Sequence, residues 1–80
     1  MEKVKAYKIS PRIAGIIPEV LNYNRSYDSE NGRCYEVPSG AIFQITNDKN
    51  KIVLTGTRQA ISGIRRRLEN RLRVRLVEDN

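Results

Sequence analysis

The sequence predicts a small α+β sandwich, with one antiparallel sheet, two helices on one of its faces and a βαββαβ-like order, in a single domain over 1–80. Three observations carry this reading. Two stretches, around 13–21 and 60–72, space their apolar residues as one face of a helix. Residues 41–56 alternate apolar and polar side chains on both sides of a polar turn. Eighty residues also allow only one thin core, because a chain of this size hides roughly 60% of the surface its unfolded form exposes.

Taken in order, VKAYKIS at 3–9 alternates weakly and reads as a first strand. Ser10-Pro11 starts a helix, since serine caps and proline at the first helical position gives up no needed hydrogen bond. Ile13, Ile16, Ile17, Val20 and Leu21 then share a face. Pro18 implies either a kink or a late start with Pro18 in the first turn. The polar stretch 22–40 has two readings, a structured loop or an extra hairpin at 25–37. Asn31-Gly32 supports the hairpin, because both central residues of the tightest turns need positive φ.

AIFQITND and KIVLTG form the clearest hairpin. Ala41, Phe43, Ile45, Ile52 and Leu54 point inward; Ile42, Gln44, Thr46, Lys51, Val53 and Thr55 point outward. Thr57 caps a second helix whose buried stripe is Ala60, Ile61, Ile64, Leu68 and Leu72. Arg66 lies opposite that stripe, Arg58 and Arg65 flank one side, Arg67 lies at the other edge, and Arg71 falls nearly within the apolar arc. Gly63 costs this helix up to ~1 kcal/mol relative to alanine unless something approaches it closely. RVRLV at 73–77 reads as a last strand, placing Arg73 and Arg75 on the exposed sheet face. Glu78, Asp79 and Asn80 are expected to fray.

Composition removes several function classes. There is no histidine and a single cysteine, Cys34, so an internal disulfide, a Cys/His metal site and a histidine-based triad are all excluded within one chain. No enzyme activity, cofactor or metal is expected. Asp28, Glu30 and Glu36 bracket the Asn31-Gly32 turn, where they solvate a loop more readily than they hold a cation. No apolar run is long enough to span a membrane, and no secretory signal is visible, so the expectation is a cytoplasmic protein, or an intracellular one in an infected host.

Charge is the strongest functional signal. Gly56 to Leu76 holds seven arginines (58, 65, 66, 67, 71, 73, 75) against one acid, Glu69. Basic and acidic side chains cancel in the remainder, so the whole net charge of +6 sits here. The first reading is a nucleic-acid-binding domain with little sequence specificity, its partner DNA or RNA. Its candidate residues are Arg58, Arg65, Arg66, Arg73, Arg75 and Lys51, with Tyr27 and Tyr35 for stacking on bases. The second is a protein-interaction module, viral or regulatory, whose arginines meet an acidic protein surface. Self-association as a homodimer through an unpaired strand edge is a third.

AIFQITNDKNKIVLTGTRQ resembles the end of one repeat of the TATA-binding protein family, where an apolar hairpin with a valine-x-threonine-glycine type ending runs into the long helix. The likeness centres on 41–72, and the upstream strand, helix and SYDSENG follow a similar order. It implies a nucleic-acid-binding fold, in which a phenylalanine matching Phe43 wedges between bases; the alternation in this chain instead turns Phe43 inward. Here there is one repeat rather than two, and the first strand lacks a counterpart of that family's minor-groove asparagine. The same segment is similar to the last strand and helix of a KH domain, but Gly15-Ile16-Ile17-Pro18 does not supply that family's Gly-x-x-Gly clamp.

Overall fold

The computed structural model describes residues 2–79. The chain runs β1 (Lys3–Lys8), α1 (Pro11–Val20), β2 (Arg25–Ser29), β3 (Gly32–Glu36), β4 (Ile42–Thr46), β5 (Lys51–Gly56), α2 (Arg58–Leu72) and β6 (Val77–Glu78). All six strands form one sheet in the order β2-β3-β4-β5-β1-β6, with every neighbouring pair antiparallel. Both helices lie against one face. Tyr7, Tyr35, Phe43, Ile45, Ile52 and Leu54 project from the strands into a core shared with Ala14 and Ile17 of α1 and Ile61, Ile64 and Leu68 of α2. This is the α+β two-layer sandwich that the hydrophobic pattern calls for. No helix among the described residues is long and apolar enough to cross a membrane.

The segment 25–36 is a hairpin that adds two strands to the sheet. Its turn differs from the expected one. Ser29 pairs with Gly32, so Glu30 and Asn31 are the central residues, and neither has positive φ. Gly32 is required for another reason. Its φ is 155°, and a Cβ there would sit 2.1 Å from the Ile45 carbonyl oxygen on β4. Close approach of the neighbouring strand selects glycine at this position.

Helix α1 starts at Pro11, with the Ser10 hydroxyl accepting the Ile13 N–H at 3.3 Å. It continues through Pro18, which stands near its end and therefore removes a hydrogen bond only in the last turn. Thr57 caps α2 by accepting the Ala60 N–H at 3.1 Å.

The C-terminal segment departs most from expectation. Arg73 is the C-cap of α2 with left-handed φ 54° and ψ 44°, and strand pairing begins only at Val77. Glu69 explains this path: its Oε2 accepts the Leu76 N–H at 3.0 Å and its carbonyl accepts the Val74 N–H at 3.3 Å. The tail is thus held to the helix while Leu76 enters the core. Arg73 and Arg75 consequently leave the sheet face expected for them. Glu78 and Asp79, read from the sequence as a loose end, are tied to the sheet. Glu78 pairs with Lys5 at 2.9 Å and Asp79 with Lys51 at 3.0 Å, while Asn80 lies outside the described residues.

Candidate nucleic-acid interface

The uncovered face of the sheet carries Tyr27, Gln44, Thr46, Lys51, Val53 and Thr55, as strand alternation requires. Its cations are largely matched by acids on the same face. Arg25 meets Glu36 at 3.5 Å and Lys51 meets Asp79 at 3.0 Å, leaving Lys8 as the one cation of this face in no ion pair among the described residues. The hydrogen bond from Lys51 to Asp79 raises the ammonium above its ordinary pKa of 10.5, with the charge attraction adding to it. Tyr27 is half-buried beneath the Arg25 guanidinium, which sits 5.3 Å from its ring centre. One side of that ring is thereby occupied. Asp28 and Glu36 do not converge on a cation site; Asp28 takes Arg33 at 2.8 Å, and Glu36 takes Arg25.

The helical layer is different. Arg58, Arg66, Arg67, Arg71, Arg73 and Arg75 are all exposed, and none is in an ion pair among the described residues. Among the described residues, Arg65 alone on α2 meets an acid, Glu69, at 3.6 Å one turn on. Gly63, Arg66, Arg67, Asn70 and Arg71 line a shallow hollow of about 310 Å³ on the outward side of α2. Their spacing of three, four and seven residues stacks them on one helix face. Among the described residues nothing beyond the helix's own adjacent backbone lies within 4 Å of where a Gly63 side chain would begin, so no internal packing demands glycine. Arg73 and Arg75 sit just past this face, at the C-terminal end of α2.

A second basic feature lies between β1 and the N-terminal half of α2. Lys3, Lys5, Arg58 and Arg65 surround a cleft of about 340 Å³, together with Tyr7, Ser62 and Glu78. The Arg65 guanidinium lies 5.7 Å from the Tyr7 ring centre, which orients it along the cleft. Lys5 is raised above its ordinary pKa of 10.5, first by its hydrogen bond to Glu78 and then by that carboxylate's charge.

The eight sequence-predicted residues therefore divide five ways. Arg66 is on the outward face of α2, Arg73 and Arg75 extend from its C-terminal end, and Arg58 and Arg65 line the cleft beside β1. Lys51 and Tyr27 are on the opposite side of the molecule. Tyr35 is no stacking platform: it is 8% exposed and lies in the core, its ring 4.6 Å from Phe43 at an interplanar angle of 10°. Phe43 itself is fully buried and cannot wedge between bases. Arg67, Arg71, Lys3 and Lys5 join these surfaces without being singled out by the sequence. Arg71 projects close to the apolar arc of an ideal helix, and the lysines are brought to α2 only by pairing of β1 with β5.

Comparison with protein-family models, with curated proteins and with solved structures gives no match.

Proposed function

We propose that this domain binds nucleic acid through the phosphate backbone, using the outward face of α2 and the turn that follows it. Arg66, Arg67, Arg71, Arg73 and Arg75 make the contacts, with Asn70 and the open backbone at Gly63 giving a phosphate room to approach. The observation that carries this is the uneven fate of the cations. Those of the open sheet face are mostly spent on internal ion pairs, whereas these five arginines are in none among the described residues. Arginine side chains along this helix face and the turn after it present forked donors to successive phosphates, and phosphate contacts carry no sequence information, so binding of this kind is sequence-tolerant.

The test is the salt dependence of binding to a fluorescent single-stranded or duplex oligonucleotide. Affinity falls steeply with salt, and Arg66→Gln or Arg67→Gln each lowers the log–log slope by about one. Binding that ignores salt, or none at low salt to either DNA or RNA, refutes the proposal.

One observation favours the alternative, an acidic protein segment. A groove of about 440 Å³ beside Gly63 has Leu21, Val37, Pro38, Ala60 and Ile64 along it and Arg67 at its rim. A protein partner that is lost in Ala60→Glu but retained with excess oligonucleotide present would select that reading instead.

A further inference from the structure

We propose that the cleft between β1 and α2 is a subsite for a terminal phosphate, the phosphomonoester end of a nucleic-acid strand whose backbone continues onto α2. This rests on the nucleic-acid reading but uses different residues. Lys3 and Lys5 from β1 converge with Arg58 and Arg65 from α2, beside Ser62 and over a floor of the buried Tyr7 and Ile61. Lysine brings three N–H donors and arginine five, more than the two free oxygens and single charge of a backbone diester can engage. A terminal phosphate carries about −1.5 to −2 charge and three strong acceptor oxygens, which suits this density of donors.

The folded chain already places a carboxylate in the cleft. Glu78 reaches the Lys5 ammonium at 2.9 Å from the two-residue strand β6, both side chains being less than half exposed. An incoming phosphate takes over Lys5 and displaces Glu78, so Glu78 competes with the ligand. Arg66 follows Arg65 directly on α2, giving the strand a continuous basic path from the cleft to the outward helix face.

Three oligonucleotides of one sequence, ending in a 5′-phosphate, a 3′-phosphate or hydroxyls alone, discriminate the idea by fluorescence anisotropy at pH 7.5. One or both phosphorylated forms bind about tenfold tighter than the hydroxyl form, the worth of a single hydrogen bond to a charged group. That ratio falls toward one in a Lys3→Gln/Arg58→Gln double variant and rises in Glu78→Gln. It also shrinks at pH 5.5, where the terminal phosphate loses part of its second charge, whose pKa is about 6. Lys3 and Arg58 are exposed, so circular dichroism should report an unchanged fold. Equal affinities for all three ends in the wild-type protein, or a ratio unmoved by the double variant, overturns the subsite. If no oligonucleotide binds, the parent reading fails, and the cleft is judged separately by titrating inorganic phosphate. Amide shifts at Lys5, Tyr7 and Ser62 then support an anion site, and their absence removes it.

Discussion

Gly63 is a residue whose presence the fold does not explain and the proposed function does. A glycine in mid-helix costs up to ~1 kcal/mol against alanine, and among the described residues nothing beyond the helix's own adjacent backbone lies within 4 Å of an added methyl there. Gly63→Ala should therefore raise the melting temperature by several degrees, given about 4–8 °C per kcal/mol for a domain of this size. If a phosphate backbone approaches the helix at Gly63, the same variant binds oligonucleotide several-fold more weakly. Gly15 in α1 is equally uncrowded, so Gly15→Ala is the matched control: stabilised alike, with unchanged binding. Equal affinity in both variants would count against close approach at Gly63. Gly32 makes the opposite case. Its glycine was legible in the sequence as a turn signal, yet what demands it is the Ile45 carbonyl of a neighbouring strand, a contact that local pattern does not contain. Tyr35 shows the same limit. Alternation in RCYEV separates two faces but does not say which one meets the helices; the register that sets Tyr35 opposite Phe43 decides it.

At the scale of elements, the α2 C-terminus shapes both the fold and the charged surface. Glu69 is the one acid of the basic segment, and it bonds the Leu76 N–H while also facing Arg65. Glu69→Ala leaves that partly buried N–H without its acceptor and should cost about 1–3 kcal/mol in denaturant unfolding. Glu69→Gln retains an oxygen acceptor and should cost less. A full-strength loss in the glutamine variant would mean that charge, rather than the tail hydrogen bond, is what matters. The sequence shows this helix clearly, from the Thr57 cap through the stripe Ile61, Ile64, Leu68. Its end is not marked, because Arg73 takes the left-handed cap position that glycine usually fills. RVRLV looks like a strand by alternation, but side-chain capture by Glu69 and burial of Leu76 outweigh that local preference. The two strands KIVLTG and AIFQIT were fully legible, since each presents an unbroken apolar face that only one register can bury.

Across the whole molecule, charge is separated between the two layers. The open sheet face is largely self-neutralised, whereas the helical layer carries the arginines of α2 and its C-terminal turn. The sequence already confines the net charge to Gly56–Leu76, but it cannot say which side of the fold receives that charge. The path taken after Leu72 settles it by keeping Arg73 and Arg75 with the helix. The alternation of RVRLV places Arg73 and Arg75 beside Lys51 on the open sheet face, but the distribution of cations outside ion pairs favours the opposite layer. Per-residue amide shift mapping with a short oligonucleotide at low salt tests this central claim most directly. The largest changes are expected at Gly63, Arg66, Arg67, Asn70 and Arg71, with Gln44 and Val53 unmoved. Changes concentrated on Tyr27, Gln44, Val53 and Thr55 would contradict it and place the contact on the sheet.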